Sequence, residues 1–336
     1  MQFPGLLILA GGQSSRMSRD KTALPWHDTD LLTDLLLRSK AFPFPERLLS
    51  INRSYEPSRL PVETARTLRT IADAHPGCGP LSGLEAAFAQ GTCDAYLVLS
   101  ADLPFYDFSP LAALMHCLQD QPELQAVIAR TKDGRDQPLA ALYRRSLLPD
   151  IRRRLQDGDY RLRRLYASAR TAYVDESARS ALYFNVNTPQ DYETAKGRDL
   201  NSRRKVPVVT LTAPHSGSGK TTAAVTAITK LTALGYRVAY IKSTHHTVLR
   251  EKSGSDTDRA RSACAVSVCL CGPYDCPPGT SKEDGLLALS QEQPADLVLI
   301  ESRSHGPLPR IDVTRTAPEK VTDTILFLTG CRSSAI

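Results

Sequence analysis

A glycine pair followed by an arginine and a lysine, with carboxylates far downstream, can break a phosphoanhydride bond without a side-chain nucleophile. Near the start of the chain these residues are Gly11 and Gly12 in LAGGQSSRM (residues 9–17), Arg16, Lys21, Asp73 ahead of GPLSG (79–83), and Asp102 in SADLP (100–104). Glycines let backbone N–H groups approach phosphate oxygens with no side chain in the way, and a following helix turns its positive end toward the anion. Arg16 and Lys21 would offset the charge that builds up as pyrophosphate leaves, and Asp102 is a natural Mg2+ ligand. These parts suit nucleotidyl transfer, in which positioning and charge neutralisation supply most of the catalysis.

A second phosphate loop reads PHSGSGKTT (214–222). Gly217 and Gly219 allow it to wrap, Lys220 would reach the β and γ phosphates, and Thr221 would ligate Mg2+, with Ser218 and Thr222 in the same loop. Pro214 replaces the first glycine of this loop type. It fixes φ near ~−65° and removes an N–H, so the loop works only if that position needs neither a positive φ nor a donor. Two such units in 336 residues imply two nucleotide-binding domains.

The elements that position these residues are apolar strand-like runs alternating with helical ones, the pattern of a parallel sheet covered by helices. Strands are expected at 6–10, 48–51, 96–100, 126–129 and 138–143 in the first half, and at 206–212, 237–242, 266–270, 296–300 and 310–313 in the second. The fold class is therefore α/β in both halves, two three-layer α/β/α domains of which the second carries the P-loop. The polar, basic stretch AKGRDLNSRRK (195–205) lacks apolar periodicity and reads as the connection. The expected domains are 1–198 and 206–336, joined by a linker at 199–205.

Hydrophobic residues make up 41% and charged residues 23% of the chain, ordinary globular usage that argues against disorder. No apolar run approaches the ~20 residues that cross a bilayer, and the N-terminal residues lack the basic flank of a signal peptide, so a cytoplasmic protein is expected. The net charge of +6 suits anionic partners. Much of it sits at Arg144, Arg145, Arg152, Arg153, Arg154, Arg161, Arg163 and Arg164, interleaved with Ile151, Leu155, Leu162 and Leu165. This stretch reads as an amphipathic helical hairpin with a solvated basic face, or as a phosphate-binding surface. Without stacking aromatics or a nucleic-acid motif, no nucleic-acid partner is expected. Cys264, Cys269, Cys271 and Cys276 could close a zinc site, yet no C-x-x-C knuckle is present; otherwise Cys264 and Cys269 are small core residues.

The segments LAGGQSSRM..DK, D..PGCGPLSG, SADLPF, DGRDQPLAALYRR and FNVNTPQDY, spanning essentially all of 1–198, resemble the molybdenum cofactor guanylyltransferase family (MobA). The resemblance implies a GTP-binding, Rossmann-like nucleotidyltransferase domain that joins GMP to molybdopterin. It further implies that Leu9, Ala10, Gly11 and Gly12 form the GTP loop, Lys21 contacts phosphate, Asp73 faces guanine, Asp102 binds Mg2+, and Asn185 and Asn187 serve the pterin side. At 50–53 (SINR) the family commonly has asparagine at the first place as well as the third. Either Ser50 or Asn52 could then stand at the base.

In the second half, IKSTHH (241–246), SGSDTDRARSACA (253–265) and VLIESRSHGPLPRIDV (298–313) are similar to the GTP-binding accessory protein of the same pathway (MobB). That resemblance implies that Asp256 and Glu301 lie near nucleotide and metal, while His245 and His246, a pair at a strand end, could touch substrate phosphate or be simply half-buried and hydrogen-bonded. Ser243, Thr247, Ser302 and Ser304 depart from the pattern, and a last strand–helix unit is expected to be missing after Leu328. Weak or absent GTP hydrolysis follows as an expectation. The implied whole is a fused guanylyltransferase and accessory GTPase-like domain taking Mg2+, GTP and molybdopterin, with molybdoenzymes or their chaperones as recipients. Two other readings share these motifs: a cytidylyltransferase using CTP on the same cofactor, and a GTP-binding adaptor that delivers cofactor to apoenzymes.

Overall fold

Residues 5–9 (GLLIL) offer an apolar side chain to both sides of a strand, so the strand is stable only inside a sheet covered on both faces. In the computed structural model, β1 (Gly5–Leu9) sends Leu6 and Ile8 into one core and Leu7 into the other. The structure describes residues 3–10, 23–51, 60, 62–73, 75–215, 217–244, 253–272, 280–303 and 308–331. The chain divides into two compact units, Met1–Pro189 and Gln190–Ile336.

In the first unit, a short hairpin of β2 (Pro25–Trp26) and β3 (Thr29–Asp30) leads into α1 (Leu31–Ser39), whose first turn is capped by Asp30 Oδ1 accepting from Thr33 N at 2.8 Å. There follow β4 (Arg47–Ile51), α2 (Val62–Arg66), β5 (Arg69–Ala72), α3 (Pro80–Gln90), β6 (Ala95–Ser100), α4 (Leu111–Asp120), β7 (Ala126–Arg130), β8 (Asp136–Arg144), α5 (Leu148–Gln156), α6 (Leu162–Ser168) and β9 (Thr171–Asp175). The sheet order is β5-β4-β1-β6-β8-β7-β9, with β8 antiparallel to both of its neighbours. Helices α1 and α4 cover one face, with Leu32, Leu35, Leu111 and Leu114. Helices α3, α5 and α6 cover the other, with Leu84, Phe88, Ile151 and Leu165.

The arginine-rich stretch is a helical hairpin whose Ile151, Leu155, Leu162 and Leu165 are buried. Its charges are largely spoken for by neighbouring carboxylates. Arg154, Arg161 and Arg164 converge on Asp159, Arg153 pairs with Asp150, and Arg152 reaches the buried Glu85 at 2.8 Å. Arg144 and Arg145 donate to the backbone carbonyls of Leu124 and Gly91.

The second unit holds most of α7 (Pro189–Ser202), then β10 (Val208–Thr212), α8 (Lys220–Ala233), β11 (Val238–Ser243), α9 (Asp256–Ser262), β12 (Ser267–Cys271), α10 (Lys282–Gln291), β13 (Leu297–Glu301), β14 (Arg310–Asp312) and α11 (Pro318–Thr329). All its strands are parallel, in the order β12-β11-β13-β10-β14. One face is packed by α8, α9 and α11, and α10 supplies Leu286 to the core on the other. Each unit is thus three layers, α/β/α.

Each of the ten expected strands is present within two residues of its expected bounds. Unexpected are β5, β9 and the β2–β3 hairpin. In β5 only Ile71 is buried, and Tyr173 of β9 is exposed, so edge position rather than apolar patterning makes them strands. Residues 195–202, read from the sequence as connecting chain, belong to α7. They lack an apolar stripe and are anchored by a buried polar side chain: Asn201 Nδ2 donates to Val208 O and Leu328 O, and its Oδ1 accepts from Val208 N, while the small Ala195 and Gly197 are buried on the same helix. Among the described residues, no helix is long and apolar enough to cross a membrane.

Candidate functional site

The carboxyl ends of β5, β4, β1 and β6 lie side by side, with Leu9 in register with both Ser50 and Ser100. Beyond them the chain stays tied: Ala10 N donates to Ser50 O at 2.9 Å, and Ala101 N donates to Leu9 O at 3.2 Å. Strand order reverses at β1, since β4 and β5 are laid to one side and β6 to the other. That crevice is where open α/β sheets take their ligands. Leu9 and Ala10 end β1 at it, and Asp102 stands two residues past β6.

The loop carrying Asp102 is fixed from two directions. Val186 N donates to Asp102 O at 3.0 Å, which brings the segment of Asn185 and Asn187 against it. Asn185 Nδ2 itself turns back to Tyr183 O at 3.0 Å. From α1, Arg38 donates to Pro104 O at 3.1 Å and to Tyr106 O, and its Nε is held by Asp34 at 2.8 Å. A bidentate guanidinium with its own carboxylate is a rigid clamp.

Asp73 follows β5 and faces Ser50, whose hydroxyl donates to Asp73 Oδ1. Burial pushes the Asp73 carboxyl above its ordinary range, and the Ser50 bond offsets this only in part. Helix α3 comes in against the same place. A Cβ on Gly83 would lie 2.5 Å from Ser50 Oγ and 2.7 Å from Leu9 Cδ2, so only glycine permits that approach. Asp73 and Asp102 flank opposite sides of this array. Three strand spacings, ~14 Å, separate β5 from β6, too far for one metal ion to take both. Gly11, Gly12, Arg16, Lys21 and Asn52 lie outside the described residues.

In the second unit, the loop after β10 enters α8 through Gly219 at φ +82°, a conformation that side chains resist. Pro214 is not among the described residues with positive φ, as its ring requires. Lys220 is buried; its ammonium donates to His215 O at 2.9 Å, as does Ser218 Oγ. Burial holds the Lys220 pKa below its usual value, against the pull of Glu301.

Glu301, the last residue of β13 and 4% exposed, accepts from Thr221 Oγ1 at 2.8 Å and from the Tyr240 hydroxyl at 2.6 Å, both on Oε2. Its Oε1 accepts from Lys242 Nζ, which also donates to Asp256 Oδ2 in the first turn of α9. Thr222 accepts a long contact from Arg259 at 3.4 Å. Burial works against the charged form of Lys242, but its two carboxylate partners prevail and raise its pKa. Burial likewise works against the Asp256 carboxylate, and Lys242 outweighs it, lowering that pKa. The structure therefore brings Thr221, Asp256 and Glu301 together as expected.

A divalent cation beside the P-loop would find a hydroxyl and two carboxylates, all hard oxygen donors: Thr221 Oγ1 meets Glu301 Oε2, and the Lys242 ammonium, a stand-in cation, bridges Glu301 Oε1 and Asp256 Oδ2. The donor chemistry fits Mg2+. In the first unit, Asp102 offers one carboxylate, the usual protein share when phosphates supply the other ligands. Among the described residues, no group of three or more His, Cys, Asp or Glu side chains could hold a metal ion. Cys264 is an exposed turn residue at φ +69° rather than the core residue expected, because the turn ending α9 needs a left-handed position there. Cys269 is half-buried in β12; Cys276, His245, His246, Thr247 and Ser304 lie outside the described residues.

Sequence reasoning missed Arg38, Tyr240 and Lys242. Arg38 works through backbone carbonyls, which no motif encodes. Tyr240 and Lys242 had a signal: polar groups two apart in an apolar strand, hence on one face, and in register with β13.

Residues 6–175 match the family of MobA-like NTP transferase domains, and residues 208–328 match molybdopterin guanine dinucleotide synthesis protein B (MobB). A "Probable molybdenum cofactor guanylyltransferase" of Synechococcus elongatus is 32% identical over 190 residues, covering 56% of this chain and 95% of that protein. The "Molybdenum cofactor guanylyltransferase" of Vibrio cholerae is 29% identical over 187 residues, covering 55% of this chain and 87% of that protein. The crystal structure of molybdopterin-guanine dinucleotide biosynthesis protein A from Archaeoglobus fulgidus covers 57% of this chain and 96% of its own, with 21% identity and a TM-score of 0.47.

Proposed function

Because the chain belongs to the MobA-like NTP transferase family, with a MobB domain behind it, we propose that it is a molybdenum cofactor guanylyltransferase carrying its GTP-binding accessory domain on the same chain. It transfers GMP from GTP to molybdopterin, giving molybdopterin guanine dinucleotide and pyrophosphate. The terminal phosphate oxygen of molybdopterin forms a bond to the α-phosphorus of GTP, in line with the breaking α–β bridging bond, and pyrophosphate carries away the electron pair. Positioning and charge neutralisation suffice, so no covalent enzyme intermediate is needed.

Asp73 accepts from the N1–H and N2–H edge of guanine, which adenine and cytosine lack. Backbone donors after Ala10 approach the phosphates, and Arg16 and Lys21 hold the departing pyrophosphate. Asp102 ligates Mg2+, which when bound neutralises triphosphate charge and polarises the α-phosphate. Asn185 and Asn187 orient the pterin. The observation that carries this reading is the hydrogen bond from Val186 N to Asp102 O, which ties the expected pterin segment to the expected metal residue at the switch point of the sheet. In the second unit, Gly217, Ser218, Gly219, Lys220, Thr221 and Thr222 bind GTP, with Asp256 and Glu301 on the metal side. The protein works in the cytoplasm and hands its product to molybdoenzymes or their chaperones.

The test is pyrophosphate release by the full chain with Mg2+, molybdopterin and either GTP or CTP. Release with GTP that persists in Lys220→Ala assigns the chemistry to the first unit. Release with CTP instead sinks the guanylyl reading, and no release with either leaves a cofactor-delivery adaptor.

A further inference from the structure

We propose that Lys242 is a tethered counter-ion held where a divalent cation would sit, so that the second unit takes up a divalent cation only together with nucleotide phosphates. The inference rests on the reading of that unit as a nucleotide-binding domain. Lys242 belongs to β11 and is in register with Glu301 of the neighbouring β13. Its ammonium bridges Glu301 Oε1 and Asp256 Oδ2, while Thr221 and Tyr240 saturate Glu301 Oε2. Both oxygens of Glu301 and Oδ2 of Asp256 are thus engaged, and the ammonium that holds two of these three is tethered to β11 through a flexible stem that lets it change partners without leaving the site. Lys220 is similarly turned inward, onto His215 O.

Two carboxylates facing one ammonium leave a single net negative charge, which is little to draw a cation as reluctant to shed water as Mg2+. A nucleotide changes both terms. Its phosphates add negative charge and oxygen ligands, and they offer Lys242 and Lys220 anionic partners in place of Asp256, Glu301 and His215 O. The cation and the phosphates therefore enter as one unit, and Lys242 passes from the carboxylates to the phosphates as they arrive. By linkage, the cation must tighten nucleotide binding by the same factor as the nucleotide tightens the cation.

The experiment is Mn2+ titration of the full chain, read by the loss of the free Mn2+ electron paramagnetic resonance signal, with and without a non-hydrolysable GTP analogue. Glu301→Gln is run in parallel, so that subtraction removes Mn2+ bound in the first unit. In the wild type, the Glu301-dependent site should appear only with nucleotide, at least ~10-fold tighter than without it, within the usual range of coupling. Lys242→Met should create that site without nucleotide, Lys242→Arg should restore the nucleotide requirement, and Lys242→Met/Glu301→Gln should lose the site again. A wild-type Glu301-dependent site of equal affinity without nucleotide overturns the proposal, whether or not Lys242→Met folds. So does a folded Lys242→Met chain with no new site, or one whose new site survives Glu301→Gln. If the analogue binds Lys220→Ala as tightly as wild type, the nucleotide-binding reading of this unit falls as well; nucleotide binding with cation uptake independent of it sinks only the role of Lys242.

Discussion

The two sites hold their acids differently. Asp73 is held by a neutral hydroxyl, Ser50, whereas Asp256 and Glu301 share the ammonium of Lys242. The physical consequence runs in opposite directions. Burial raises the Asp73 carboxyl, while burial of Asp256 is outweighed by Lys242 and its carboxyl is lowered. A carboxylate kept without a cation is ready to accept from a ligand's N–H groups. One that has its own cation must be released before it can do anything else. The first arrangement suits a site that turns over, and the second a site that holds its nucleotide under conditions.

The comparison breaks most visibly at Asp102. Asp102→Ala should lower guanylyl transfer by at least ~10³-fold, because a metal's charge stabilisation is worth several kcal/mol at the transition state. GTP binding to the second unit should be unaffected. The measurement is a pair: pyrophosphate release for the first unit, and GTP titration in a chain whose first-unit GTP site is blocked by Asp73→Asn for the second. Transfer retained within tenfold would remove Asp102 from the chemistry and leave the division of labour between the sites without support.

Which parts of this were legible beforehand follows from what each part depends on. Strands buried on both faces, such as GLLIL at β1 and LVLIE at β13, announce themselves by composition. Edge strands β5 and β9 bury too little to be seen. Helix α7 was hidden because Asn201, not an apolar stripe, secures it to β10 and α11. At the sites, residues read through backbone chemistry were visible: Gly219 at the entry to α8, Asp102 after its strand, and Thr221 beside Lys220. The clamps were not. Arg38 meets Pro104 and Tyr106 some 66 and 68 residues away, and Lys242 meets Glu301 59 residues away, so both depend on which strands and helices become neighbours.

A smaller effect sharpens the view of the first site as a tightly fitted one. In Gly83→Ala the new Cβ meets Ser50 Oγ at 2.5 Å and Leu9 Cδ2 at 2.7 Å, so either these side chains or α3 must shift at the ends of β1 and β4. Overpacking of this kind costs ~1–3 kcal/mol. Denaturant unfolding should show that loss in the first unit, together with a raised KM for GTP, because the helix and Asp73 share Ser50 as a neighbour. Unchanged stability with unchanged KM would mean that the approach of α3 is not tight.

The smallest effect lies in pH, and its sign separates the two sites. The folded-state pKa of Asp73 is raised, so its stability contribution is full below the unfolded value and is lost as pH rises through the folded one. Asp256 is the reverse: its contribution is present above the unfolded value and lost as pH falls through the lowered folded one. For function, guanine needs Asp73 ionised, so the acid limb of GTP binding at the first unit should lie above the ordinary carboxylate range. Ser50→Ala removes the one bond that lowers the Asp73 pKa and should move that limb further up, with KM for GTP unchanged on the alkaline side. Asp73→Asn should abolish the limb altogether, and Ser50→Ala should leave the nucleotide affinity of the second unit untouched at every pH. A limb that stays in place in Ser50→Ala would mean that the hydroxyl does not set the charge of Asp73. The contrast between a site held by neutral donors and one held by a tethered cation would then reduce to burial alone.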